Sequence, residues 1–346
     1  AEFSEELNNL GVRVSNLEDR IDNVKWTGEL RYTYEKKGGE GARSYGEVHN
    51  DNELLFRLEP TATVNDHWKV KARLDAEWNP NRDSTEKWVD SHDNTVKLKR
   101  AYAAGHYGIT DINAGLIPFY TEQGVVLDKE VSGVSVVVGA DQKLTGTLTG
   151  ANLKMKKTDA GDGLNDSERA TLLGLNLTWK ATDNFTLAGE YYHLKAHGGF
   201  VDHNATNDDS NAQNIWGIGA TYTFDKNVRL NGGYWKNQDF DDTAISHANT
   251  KLADHAWNVE LGYKGAEPEN MHSFGLYAAY RYLGHGAALA PTFDGAAWGE
   301  KGWEVGGNYT FAKNIVGSVL YFDGHKIALD NNNRVKKGWA RLEYLF

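Results

Sequence analysis

From Trp26 onward, apolar and polar residues alternate with a period of two, the spacing of a strand whose two faces meet different surroundings. Between Trp68 and Trp78, one face carries Trp68, Val70, Ala72, Leu74, Ala76 and Trp78; the other carries Lys69, Lys71, Arg73, Asp75 and Glu77. The alternation recurs along the chain and predicts sixteen strands, at 26–35, 52–64, 68–79, 95–107, 111–117, 131–140, 143–153, 169–180, 184–195, 214–224, 228–237, 255–264, 272–283, 301–311, 315–323 and 335–346. Ahead of them the period changes. Phe3, Leu7, Leu10, Val14, Leu17, Ile21 and Val24 follow a 4-3-4-3-4-3 spacing, which predicts a coiled-coil seam over 1–24. Two parts are therefore expected: a helical stalk, 1–24, and an all-β body, 25–346.

The connections alternate in length. Asn65-Asp66-His67, Ala181-Thr182-Asp183, Asp225-Lys226-Asn227 and Ala312-Lys313-Asn314 read as tight polar turns, whereas 154–168, 196–213, 238–254 and 284–300 are long and rich in Asp, Asn, Gly and His. Strands of about ten residues, aromatics at strand ends and this short-long alternation point to a 16-stranded antiparallel transmembrane β-barrel. A soluble sandwich would explain the alternation but not the aromatic ends. The mean hydropathy of -0.60 does not oppose a membrane location, because half of each strand faces water. No apolar run approaches the roughly 20 residues of a spanning helix.

Among the 346 residues, 37 Lys+Arg against 48 Asp+Glu leave a net charge of -11, the wrong sign for binding nucleic acid through its phosphates. Without cysteine there is no disulfide, thiolate zinc site or cysteine nucleophile. Gly217-Ile218-Gly219 echoes a dinucleotide loop but lies inside an alternating strand. His193, His197 and His203 with Asp202, Asp208 and Asp209, and the run Asp239-Phe240-Asp241-Asp242, are read as solvated loops rather than metal sites. No enzyme activity, cofactor or metal is expected.

Two features carry a family resemblance. The terminal Glu343-Tyr344-Leu345-Phe346 closes an alternating strand on an aromatic residue, and the heptad segment runs directly into Trp26-Thr27-Gly28-Glu29-Leu30-Arg31-Tyr32. The first resembles the C-terminal signature of bacterial outer-membrane barrels. Together they resemble the OmpM-type tethering porins of diderm Firmicutes. The resemblance implies a homotrimeric porin in outer-membrane lipid, its stalk in the periplasm, passing ions and small hydrophilic solutes. The family's envelope-binding SLH domain is absent from this chain, so contact with peptidoglycan or another wall polymer would need that missing part.

In a porin, the residues that matter are lumen-facing charges at the narrowest level. Counting upward from the short turns aligns Arg31, Arg57, Arg73 and Arg341 near mid-height on the first three strands and the last. Arg100 would extend the row but shares parity with Val96 and Leu98; either a β-bulge between Val96 and Ala101 turns it inward, or Lys97 and Lys99 snorkel outward near the rim. With Lys69 and Lys71 these form an expected basic wall, and Glu29, Glu59, Asp75 and Glu77 are read as lying elsewhere on the same strands. Segment 118–131 is too apolar for an external loop; by resemblance to general porins it is the third loop, folded inward, with Glu122, Asp128 and Glu130 facing the arginines. Two alternatives remain. Lumen aromatics Trp235, Trp339, Tyr192 and Tyr277 would suit a channel selective for sugars or nucleosides, and a stalk-dominated molecule would be chiefly an outer-membrane tether.

Overall fold

The computed structural model describes residues 23–80, 96–154, 169–196, 212–240, 252–328 and 333–346. Sixteen antiparallel strands close into one barrel: β1 (Val24–Gly38), β2 (His49–Thr63), β3 (Trp68–Trp78), β4 (Val96–Tyr107), β5 (Thr110–Tyr120), β6 (Asp128–Val138), β7 (Leu144–Leu153), β8 (Ala170–Lys180), β9 (Phe185–Ala196), β10 (Ala212–Thr223), β11 (Val228–Asn237), β12 (His255–Lys264), β13 (Phe274–Leu283), β14 (Glu300–Ala312), β15 (Ile315–Lys326) and β16 (Arg334–Leu345). Each strand pairs with its neighbours in sequence, and β1 pairs with β16, so no edge is left open. Every predicted strand is present. Phe3, Leu7, Leu10, Val14, Leu17 and Ile21 lie outside the described residues. Val24, assigned by spacing to the coiled-coil seam, instead opens β1 opposite Ala62.

The seam between first and last strands is sealed by the chain end. The Gly28 N–H donates to the Phe346 carbonyl (2.8 Å) and the Phe346 N–H to the Gly28 carbonyl (3.0 Å). A Cβ on residue 28 would meet the Phe346 ring at 2.7 Å, so glycine lets the terminal aromatic lie flat against β1 and stack on Phe56 at 6.0 Å.

Polarity is inverted relative to a soluble protein. Trp26, Leu30, Phe56, Val96, Leu177, Val259, Trp303 and Val319 are exposed on the outer face, whereas Glu29, Asp75, Glu190, Arg281 and Glu304 are buried on the inner one. An exposed apolar belt around a whole barrel suits acyl chains, not water. At the rim of short turns, Trp68, Tyr107, Trp179, Tyr222, Phe224, Tyr263, Phe311, Tyr344 and Phe346 form an outward aromatic girdle.

The β3–β4 pairing breaks step once. Arg73 pairs with Arg100 and Leu74 with Leu98, leaving Lys99 as an extra residue. This β-bulge keeps Leu98 on the lipid side and turns Arg100 inward. Removing Lys99 makes Leu98 and Arg100 direct neighbours, so simple alternation by itself keeps the first outward and the second inward and no bulge is needed. The deletion should leave the urea midpoint in lipid vesicles nearly unchanged, whereas Leu98→Arg, which puts a charge on the lipid face, should cost about 2–4 kcal/mol; a large loss on deleting Lys99 contradicts the role given to the bulge.

At the opposite rim, two connections turn inward rather than out. Segment 121–127, between β5 and β6, carries Val125, Val126 and Leu127 at 0% exposure; segment 284–299, between β13 and β14, carries Ala287, Ala288, Leu289 and Ala296 at 4% or less. Both pack on the inward apolar residues Ile117, Phe119, Leu172, Leu194, Ile215 and Leu283. The second inward segment corrects the reading of 284–300 as one of the long polar connections. A short helix, α1 (Glu40–Ser44), covers the rim above β16.

Candidate pore-lining site

The inward arginines form a chain in which each adjacent pair shares one carboxylate. Glu343 lies 4.0 Å from Arg341 and 3.2 Å from Arg31. Glu29 accepts from Arg31 at 2.7 Å and also from Arg57. Asp75 accepts from Arg57 at 2.8 Å and Arg73 at 2.7 Å. Glu130 lies 3.7 Å from Arg73 and 3.4 Å from Arg100. Asp294 meets Arg341 at 3.3 Å and Glu59 meets Arg100 at 3.9 Å, one at each end.

The strand register explains this order. Arg57 lies opposite both Glu29 and Asp75, while Arg341 lies opposite Thr33, so Arg341, Arg31, Arg57 and Arg73 step along the strands as a staircase, and Arg100 stands directly opposite Arg73. The expected basic wall is therefore corrected. Glu29 and Asp75 interleave with the arginines and Glu59 ends the row, since five guanidinium groups packed together need neutralising within their own row. Of the seven cations expected in that wall, Lys69 and Lys71, toward the short-turn rim, have no ion-pair partner among the described residues. Glu77 is held by Lys97 (3.1 Å) and Lys99 (3.5 Å).

Segment 121–127 leaves β5 and reaches β9, β11 and β12, contacts possible only across the interior. The Glu122 N–H donates to Glu190 at 2.7 Å; Gln123 Nε2 donates to the Gly232 carbonyl at 2.9 Å, and its Oε1 accepts from Asn258 at 3.1 Å. Glu122 thus sits over Gly219 on the far wall, and burial holds its carboxyl above the usual range. Asp128 accepts from Thr292 at 2.6 Å. Neither acid faces the arginine row, which corrects that expectation for Glu122 and Asp128; Glu130 does face it. The difference follows from the hairpin turning in as a unit: its outer side, with Glu130, comes to look at Arg73 and Arg100, while Phe119 looks at Tyr192, 5.7 Å away.

The aromatic candidates divide. Trp235 and Tyr192 are 0% and 2% exposed and both donate to Glu190, so neither offers a ring face to a solute. Tyr277 donates to Glu304 at 3.0 Å. Trp339 has the Arg341 guanidinium 4.3 Å above its ring and lines a recess of about 360 Å³ with Glu53, Glu77, Asp294 and Arg341. His193 bonds to Asn214 and Asp239 accepts from Asn214; His197, His203, Asp202, Asp208, Asp209, Asp241 and Asp242 lie outside the described residues.

Sequence reasoning missed two groups. Glu300, at 0% exposure, joins Lys37 (2.8 Å), Lys326 (3.0 Å) and, through them, Glu47. Arg281 is clamped by Glu260 (2.9 Å) and Glu304 (3.0 Å), with Phe293 of the second inward segment 3.7 Å from it. The apolar run Ala287-Ala288-Leu289-Ala290 was the available signal for that segment.

A family model described as "Putative porin" matches residues 212–333, from β10 to just before β16. No curated protein matches the chain. Among solved structures, Pseudomonas putida OprB is 12% identical, with a TM-score of 0.64 over 98% of this chain and 97% of that one. A triple mutant of the Rhodopseudomonas blastica porin is 14% identical, with a TM-score of 0.53 over 93% of this chain and all of that one. The chain thus has the fold of outer-membrane porins.

Asp75, 1% exposed between two arginines, should be the most costly carboxylate of the row to neutralise. Asp75→Asn is expected to lower unfolding free energy by about 3 kcal/mol, measured by urea titration in vesicles. His285 gives a pH test. It accepts weakly from the Ala253 N–H (3.4 Å), and burial, with Lys326 nearby, pushes its ring down to about 4. Since the folded pKa lies below the ordinary 6.5, the stability it lends is complete above about pH 6.5 and is lost as pH falls toward 4. Protease resistance of 284–299 should decline across that interval, while a histidine NMR titration finds His285 neutral at pH 5.

Proposed function

We propose that this protein is an outer-membrane porin that lets ions and small hydrophilic solutes diffuse through a water-filled lumen. The observation that carries the reading is the inverted barrel: a closed sheet with an apolar belt outside and a charged, bridged arginine row inside. Nothing about such a row performs bond chemistry; it sets the local field along a solute's route. In this reading the constriction lies between the row and the segment carrying Glu130, with 121–127 as the third loop. Assembly as a homotrimer and a periplasmic stalk from the heptad segment belong to the same proposal, as does tethering through a wall-binding domain. A sugar- or nucleoside-selective channel is disfavoured because the Trp235 and Tyr192 rings are packed away.

Reconstitution into planar bilayers tests it. Ohmic conductance steps arriving in threes support a trimeric diffusion porin; a barrel that inserts without conducting refutes it, and saturable block by one sugar class favours the selective channel. Reversing Arg31, Arg57 and Arg73 to Glu should move permeability toward cations by about tenfold, read as reversal potential in a salt gradient. An unmoved potential places the ion path elsewhere.

A further inference from the structure

The second inward segment, 284–299, does more than fill space. It is joined to the first by a short ladder of three backbone bonds, two of which close a parallel bridge between Leu127 and Ala290: the Asp128 N–H donates to the Ala290 carbonyl, the Ala290 N–H to the Val126 carbonyl and the Thr292 N–H to the Gly124 carbonyl, each at 2.9 Å. Its other side is fixed to the wall. The Phe293 ring covers the clamped Arg281, the Ala296 N–H donates to Glu304 at 3.1 Å, and a Cβ on Gly295 would run into the same carboxylate.

Between these anchors stands Asp294. Its carbonyl accepts from Lys337 at 3.1 Å and its carboxylate reaches Arg341 at 3.3 Å. At 41% exposure, that carboxylate is far more open than Glu29 (9%) or Asp75 (1%), which are shut between arginines. An ion passing the row meets a charge in proportion to its access to water, because a fully bridged carboxylate presents little net field.

We propose that residues 284–299 form a second half of the constriction and that Asp294 is a selectivity-determining carboxylate, held at its position by the ladder to 124–128. The inference rests on the porin reading. A half-exposed acid on a rigid mount contributes a fixed negative charge opposite Arg341, next to the end of the row, so cations gain and anions lose there. Two loops, one from each side of the barrel, would then set the opening, and neither would keep its position without the other.

The test uses the full chain in planar bilayers, with reversal potential in a potassium chloride gradient and single-channel conductance as readouts. Asp294→Asn should raise the anion-over-cation permeability ratio about threefold, the Boltzmann factor of one charge several ångströms from the ion path in water. Ala290→Pro removes the N–H given to Val126; it should raise conductance and shrink the effect of adding Asp294→Asn. If Asp294→Asn leaves the ratio unchanged while Glu130→Gln shifts it, the second segment stands clear of the ion path and the inference is overturned. If Ala290→Pro does not fold, the Asp294→Asn comparison decides alone. A wild-type barrel that never conducts would instead sink the porin reading itself, so the two failures are distinguishable.

Discussion

Hydrocarbon offers no partner to a backbone N–H or C=O, and from this constraint the rest of the molecule follows. Each unsatisfied group would cost several kcal/mol, so a sheet can lie in lipid only when its first and last strands meet. Here β1 and β16 pair along ten positions, and the terminal Phe346 adds a reciprocal pair of bonds with Gly28. Closure then dictates side-chain order. Outward positions must be apolar, inward ones are free to be charged, and a single out-of-phase arginine needs a bulge, supplied at Lys99, to reach water.

Once arginines are placed inside, their mutual repulsion becomes the next constraint. Two unit charges 4 Å apart repel by about 4 kcal/mol at an effective dielectric of 20. Five in series would cost more than the stability of an ordinary domain. Sharing Glu343, Glu29, Asp75 and Glu130 between neighbours converts repulsion into attraction at every step. The result is a rigid polar rail whose net field is small at its middle. On the proposed porin reading, selectivity then comes from charges that are less completely shared, which are Lys69 and Lys71 on the wall and the carboxylates at the ends.

How much of this was legible in the chain depends on the range of the interaction involved. The strands were, because a period of two is written locally and repeated sixteen times; so was the bulge, because Arg100 breaks parity within five residues. The arginines' inward positions were visible, but their partners were not. Glu343 and Arg31 are neighbours only because the ends of the chain meet, and Asp75 bridges Arg57 and Arg73 only in the true β2–β3 register. Glu122 and Asp128 were misplaced for a similar reason: counting residues does not reveal that a hairpin turns as a unit and exchanges its faces. The run from Ala287 to Phe293 met the same apolar criterion that singled out 118–131, but the Asp, Asn, Gly and His typical of external loops concealed it.

The magnitudes show what keeps the two inward segments in place. Three backbone hydrogen bonds, formed where water competes for the same groups, contribute about 0.5–1.5 kcal/mol each. Burial of Val125, Val126, Leu127 and Leu289 at 4% exposure or less contributes about 1.5–3 kcal/mol apiece, more in total than the ladder. The ladder fixes register; apolar packing supplies the stability. Because that packing is non-directional and indifferent to salt, the mount is energetically separate from the charges it displays. On the proposed reading, Asp294 and Glu130 are thus placed where evolution can alter charge, and with it the preference among solutes, without unfolding the segments that hold them.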